Sequence, residues 1–78
     1  MATEVLLPKI GFSMNEGVLV RWLAEDGSSV AVGQPLYELE SEKSVQEVEA
    51  PVTGRLRIIV TAVGETHPVG TVLAEIDD

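Results

Sequence analysis

The chain reads as an all-β domain. It should be a flattened β-barrel or sandwich of two small antiparallel sheets related by a pseudo-two-fold axis, a barrel-sandwich hybrid. Three observations predict this. Seven glycines and four prolines divide 78 residues into short segments rich in Val, Ile and Leu, the spacing of brief strands joined by tight turns. A shift of 37 residues lays 17–41 over 54–78 with seven identities in 25 positions, where ordinary residue usage gives about one or two. Two copies are too few for a solenoid, but two half-sheets packed face to face can bury both apolar surfaces.

The repeat assigns the elements in order. Its identical pairs are Gly17/Gly54, Leu19/Leu56, Gly27/Gly64, Val32/Val69, Gly33/Gly70, Leu36/Leu73 and Glu38/Glu75. The strand-like runs GVLVRWLAED and GRLRIIVTAV open the two halves, and TVLAEI answers LYELE near their ends. Gly27/Gly64 and Gly33/Gly70 mark two equivalent turns in each half, at backbone angles that cost little only for glycine. Leu36–Ala50 is the longest stretch free of Gly and Pro, and its Leu, Glu, Lys, Gln and Ala content favours a helix by propensity. Alternation overrides that preference. Tyr37 and Leu39 alternate with Glu38 and Glu40, and Val48 and Ala50 with Glu47 and Glu49, which predicts a hairpin whose tip is Ser41–Ser44, closed by a type I turn. The expected core is Leu19, Val30, Val32, Leu36, Leu39, Val45, Val48, Leu56, Ile58, Val69, Leu73 and Ile76. Trp22 aligns with Ile59 and is expected on a strand, in or beside the core. His67 aligns with Val30 and is expected at a turn edge without catalytic work.

Size and charge bound the function. Residues 1–78 can hold one core, and so small a domain has a thin stability margin. There is no Cys and one His, so disulfides, thiolate zinc and imidazole clusters are excluded as supports. A formal net charge of −8 argues against nucleic acid and anionic lipid as partners. No apolar run approaches the ~18–20 residues of a membrane span, and MATEVLLPKIG lacks a signal-peptide pattern, which predicts a reducing, cytosol-like compartment. The acidic run of Glu40, Glu42, Glu47 and Glu49 lacks the Asp/Asn alternation and Gly of a calcium loop, so no metal site is expected.

Lys43 stands apart. It is one of two lysines, placed at the predicted bend between Glu40 and Glu42 on one side and Glu47 and Glu49 on the other. A negative field around an exposed ammonium keeps it protonated, the wrong tuning for a Schiff-base or general-base lysine. Such a residue is either a solvated surface charge or an amine displayed for another enzyme to modify.

The segments GFSMNEG, EDGSSVAVGQPLYELESEKS, EVEAPVTGRL and VGETHPVGTVLAEI resemble the lipoyl domains of 2-oxo acid dehydrogenase complex acyltransferases, over nearly the whole chain. In that family a lysine sits at a β-turn in a pattern like E-T/S-D-K-A, followed by a small residue, Pro and Gly. Glu40-Ser41-Glu42-Lys43-Ser44 and Ala50-Pro51-Val52-Thr53-Gly54 match, with Glu42 and Ser44 replacing the usual Asp and Ala. The resemblance implies a carrier domain without catalysis of its own. Lipoic acid would be held by an amide to Lys43, changing the net charge from −8 to −9, with Glu40, Glu42 and Ser44 as turn flanks read by a lipoyl ligase or transferase. The arm would carry acyl groups and electrons between a thiamine-diphosphate-dependent decarboxylase, an acyltransferase centre and dihydrolipoyl dehydrogenase. Gly11, Phe12, Ser13, Met14 and Asn15 match a surface loop that contributes to recognition by the decarboxylase. The isolated domain is expected to be monomeric, in bacterial cytoplasm or a mitochondrial matrix, and to be part of, or associated with, a dihydrolipoamide acyltransferase. A biotin carboxyl carrier is the alternative within the superfamily, but the Met-Lys-Met setting of that lysine is absent. An unmodified all-β interaction module is the alternative outside it. By the repeat, the pseudo-dyad partner of the Lys43 bend is the pair of chain ends, so bend and ends should lie at opposite poles.

Overall fold

The computed structural model describes residues 2–9, 15–41 and 44–78. Eight strands follow one another among the described residues: β1 Ala2–Leu6, β2 Glu16–Trp22, β3 Ser29–Val30, β4 Pro35–Glu40, β5 Val45–Glu49, β6 Gly54–Ile58, β7 Glu65–Pro68 and β8 Val72–Asp77. They form two four-stranded antiparallel sheets, in the orders β1-β8-β6-β3 and β5-β4-β2-β7. The predicted all-β sandwich is the fold observed. The two orders are the same list once β1 is matched with β5, β2 with β6, β3 with β7 and β4 with β8.

The symmetry extends to individual hydrogen bonds. Leu7 donates its N–H to Thr71 and accepts from Gly70; Ala50 donates to Gln34 and accepts from Gly33. In β4, Pro35 pairs with Glu49 and Tyr37 with Val48, leaving Leu36 without a cross-strand partner. In β8, Val72 pairs with Leu6 and Ala74 with Val5, leaving Leu73 unmatched in the same way. An extra residue turns the strand locally and breaks the two-residue period. That is why Leu36 and Tyr37 are both buried, and Leu73 and Ala74 likewise. The bulged carbonyls are used: Leu36 accepts from Leu23 N–H, and Leu73 from Ile59 and Val60.

A third bulge has no counterpart. Leu19 pairs with Leu39 and Arg21 with Glu38, skipping Val20, whereas β6 runs against β8 without a break. This moves the repeat register by one residue. Trp22 therefore corresponds to Ile58, which faces Ala74 as Trp22 faces Tyr37, and not to Ile59 as the ungapped shift implied. Arg21–Glu38 and Arg57–Glu75 become equivalent ion pairs.

The core gathers Val5, Leu7, Leu19, Ala24, Val30, Leu36, Tyr37, Leu39, Ala50, Leu56, Leu73, Ala74 and Ile76. Val48, Ile58 and Val69 pack against it, half-buried. Two expected members are not there. Val45 is 53 % exposed; it differs from Val48 by an odd number of residues, so an unbroken strand sends the two to opposite faces. Val32 is 64 % exposed because it stands on the outer corner of the Ala31–Gln34 turn, with its N–H held by Thr53 Oγ1 at 3.0 Å. Trp22 is half-buried; its ring lies 5.2 Å from that of Tyr37, tilted by 60°, and its Nε1–H donates to the Val60 carbonyl at 2.9 Å. One contact thus ties the two halves together.

Gly33 and Gly70 occupy equivalent turns at φ +87° and +94°. In each a carbonyl two residues before the glycine accepts from the residue after it, Ala31 from Gln34 and Pro68 from Thr71, the position where a type II turn needs positive φ. Gly54 is required for a different reason. A Cβ there would stand 2.3 Å from the Asp77 carbonyl oxygen and 2.7 Å from Ile76 Cγ2.

Candidate functional site

The predicted hairpin is present. Its ladder runs from Pro35↔Glu49 through Tyr37↔Val48, Glu38↔Glu47 and Leu39↔Gln46 to Glu40↔Val45. Beyond the last pair, Ser41 N–H donates to the Ser44 carbonyl at 2.8 Å, and Ser41 Oγ donates to the same oxygen at 3.2 Å. Ser41 and Ser44 therefore frame the tip, as expected from the sequence. The two residues between them, Glu42 and Lys43, lie outside the described residues, and so does the type I assignment of their turn.

Root and tip differ in environment. Leu36, Tyr37 and Leu39 are fully buried and fix the root of the hairpin in the core. At the tip Glu40, Ser44 and Val45 are exposed and Ser41 is half-buried. The outer surface near them is acidic. Glu38 and Glu47 are cross-strand neighbours, an arrangement that repels; Arg21 offsets it with Nε to Glu38 Oε1 at 2.8 Å and a second nitrogen to Oε2 at 3.3 Å. Glu40 and Glu49 stand opposite Val45 and Pro35, apart along the ladder. Among the described residues no group of three His, Asp or Glu is gathered as a metal would need.

The bend and the chain ends occupy opposite poles. Ala2 pairs with Asp77, the symmetry counterpart of Val45 with Glu40. From there β1 carries the chain to Leu7, bonded to Gly70 and Thr71. Neighbouring Val69 donates to the Asn15 carbonyl at 2.9 Å, and the pairs Glu16↔Pro68 and Val18↔Glu40 continue to the bend. The long dimension of the molecule is 32 Å.

Of the recognition stretch, Gly11, Phe12, Ser13 and Met14 lie outside the described residues. Asn15 is exposed and lies three residues beyond Val18 in the direction in which β4 approaches its bend. His67 is within β7 opposite Gly17, half-buried, with Nε2 buried and without a hydrogen-bond partner among the described residues. Sequence reasoning missed two contributors. One is the bulge that buries Tyr37, signalled only by the adjacent apolar pair Leu36-Tyr37. The other is the paired donation from Ser41, signalled only by a hydroxyl at the residue entering the bend.

The family model Biotin_lipoyl, described as "Biotin-requiring enzyme", matches residues 3–76. The chain belongs to this family of cofactor-attachment domains. Similar curated proteins are a dihydrolipoyllysine-residue acetyltransferase component of the acetoin cleaving system of Cupriavidus necator, 38 % identical over all of this chain and 24 % of its own length; a succinyltransferase component of the 2-oxoglutarate dehydrogenase complex of Bartonella vinsonii subsp. berkhoffii, 36 % identical over 99 % and 19 %; and an acetyltransferase component of the pyruvate dehydrogenase complex of Mycobacterium bovis, 43 % identical over 96 % and 14 %. This biotin/lipoyl domain thus spans about a quarter or less of those relatives. It is a cofactor carrier, not a catalyst in itself. The names of these relatives, all dihydrolipoyllysine-residue acyltransferases, favour lipoate over biotin.

Proposed function

We propose that this domain is lipoylated on Lys43 and serves as the swinging arm of a 2-oxo acid dehydrogenase-type complex. The observation that carries the reading is the hairpin. A buried root delivers a narrow tip at which Glu40, Ser44 and Val45 are exposed and Ser41 is half-buried, at the pole remote from Ala2 and Asp77. These flanks support reading the lysine they carry as the substrate of a lipoyl ligase or transferase, and chain joined at the far pole would leave its sweep clear. The chemistry fits the group: attachment asks for an amine, which Lys43 supplies, and no enclosing pocket.

When bound, lipoate supplies a dithiolane that takes up an acyl group and two electrons, chemistry that belongs to the cofactor. The domain holds the attachment point and presents a recognisable surface. Glu40, Glu42 and Ser44 are proposed as the flanks that the ligase reads. Gly11, Phe12, Ser13, Met14 and Asn15 are proposed as the loop met by a thiamine-diphosphate-dependent decarboxylase; exposed Asn15, entering β2 beside the hairpin, supports this. Dihydrolipoyl dehydrogenase is the proposed partner for reoxidation. A monomeric domain working in bacterial cytoplasm or a mitochondrial matrix completes the proposal. Tethering replaces diffusion with an effective concentration in the mM range for short flexible links.

The test is reductive acylation. The chain is loaded by a lipoyl ligase and offered to purified pyruvate, 2-oxoglutarate, branched-chain and acetoin decarboxylating components with labelled substrate. Transfer of label to the loaded chain by one of them, and none to the Lys43→Arg chain, is expected. A chain that no ligase loads, or that stays unlabelled with every decarboxylase, contradicts the proposal.

A further inference from the structure

We propose that Ser41 is a positioning residue for lipoylation, holding the ends of the bend so that the lysine between them meets the ligase in a pre-ordered frame. The inference rests on Lys43 being the modified residue. Both Ser41 donors converge on one acceptor, the Ser44 carbonyl oxygen: the backbone N–H at 2.8 Å and Oγ at 3.2 Å. Any residue but proline supplies the first bond. Only a hydroxyl of this length supplies the second, so the serine's identity adds something its backbone does not.

The second bond lies where the ladder stops. Glu40↔Val45 is the last cross-strand pair, and of the described residues framing the bend Ser44 and Val45 are exposed and Ser41 is half-buried, so these flanks gain little restraint from apolar burial. Two donors fix the direction of the Ser44 carbonyl and the rotamer of Ser41 together. Without Oγ, the backbone bond alone competes with water, and the frame samples more arrangements. A ligase that binds one of them then sees a lower competent fraction, which weakens apparent affinity by that fraction and leaves the chemical step alone.

The covalent step itself is ordinary amide formation. The lipoate carboxylate displaces pyrophosphate from ATP to form an adenylate; the lysine Nζ, having lost its ammonium proton to water, bonds to the carboxyl carbon, AMP leaves and the remaining excess amine proton goes to water. Ser41 takes no part in these bond changes. Its removal should therefore raise KM for the acceptor chain roughly two- to tenfold, the range of one net hydrogen bond, with kcat within twofold.

The experiment compares the full chain, Ser41→Ala, Ser41→Thr and Lys43→Arg as acceptors for a lipoyl ligase with ATP and lipoate, by intact mass against time, with a thermal melt of each. The expected result is a raised KM with unchanged kcat for Ser41→Ala, a melting temperature lowered by no more than the ~4–8 °C that one net hydrogen bond represents in a domain of this size, and recovery of both in Ser41→Thr, which keeps the hydroxyl. Equal KM for wild type and Ser41→Ala overturns the proposal, as does a deficit that Thr does not restore or one that comes with an unfolded fraction at the assay temperature. If wild type itself is not loaded, the lipoylation reading falls first and this inference falls with it.

Discussion

Alanine at Gly33 and Gly70 separates backbone strain from steric contact. Both glycines stand at positive φ, +87° and +94°, and an added Cβ at either meets nothing within 4 Å. The penalty is thus conformational alone. An L-residue with left-handed backbone costs about 1–2 kcal/mol, and the smaller entropy of an unfolded chain carrying Ala offsets about 0.4–1 kcal/mol. A net loss of about 1 kcal/mol is expected at each site. In a domain of this size that corresponds to a fall of ~4–8 °C in melting temperature. The two turns belong to opposite halves of the repeat and share no hydrogen bond, so the double variant should lose about 2 kcal/mol by additivity. Asn, which tolerates left-handed backbone, should lose less than Ala at the same positions. The assay is reversible urea unfolding of the wild type and the five variants, at matched m-values. A neutral Ala at either glycine refutes the turn assignment, and a loss above about 3 kcal/mol at one site alone refutes the equivalence of the halves.

Gly54→Ala should be far worse than either turn variant, because its Cβ meets the backbone of β8 at 2.3 Å; a melting curve as mild as that of Gly33→Ala would contradict the close approach. Tyr37 is fully buried, and burial pushes its phenol above the ordinary value of 10.0. The folded state holds that proton more tightly than the unfolded one, so its contribution is complete below pH 10 and is lost as pH rises from there toward the folded pKa. Tyr37→Phe should flatten this alkaline fall. It should cost less than about 1 kcal/mol at neutral pH, since among the described residues the hydroxyl reaches only the Leu6 carbonyl, at 3.5 Å; denaturant midpoints at pH 7 and above pH 10 check both statements. Trp22→Phe removes the Nε1–Val60 bond between the halves and should cost about 1–3 kcal/mol by leaving that carbonyl poorly satisfied, measured by thermal unfolding.

Much of this architecture was legible before any coordinates. The 37-residue repeat named the glycines of both turns, and the alternation in Tyr37–Glu40 and Glu47–Ala50 outweighed helix propensity in favour of a hairpin. What escaped was anything that breaks period two. The bulges at Leu36 and Leu73 bury adjacent residues, so Tyr37 and Ala74 were absent from the expected core. The bulge at Val20 shifts Trp22 from Ile59 to Ile58, which no ungapped alignment of the repeat reveals. Val45 was misplaced by ignoring strand parity, and Val32 because a hydrophobic residue at a turn corner has no periodicity to betray its exposure. At the bend, the frame of Ser41 and Ser44 followed from the sequence, whereas the double donation from Ser41 depends on a rotamer that no pattern encodes.

The central claim is that one amine, at the tip of the β4–β5 hairpin, is the attachment point. The chain has two lysines, Lys9 and Lys43, so peptide mapping after exhaustive ligation with lipoate decides it. A single lipoyl group on the peptide containing Lys43, and an unmodified Lys43→Arg chain, is the predicted outcome; a lipoyl group on Lys9, or one retained by Lys43→Arg, contradicts it.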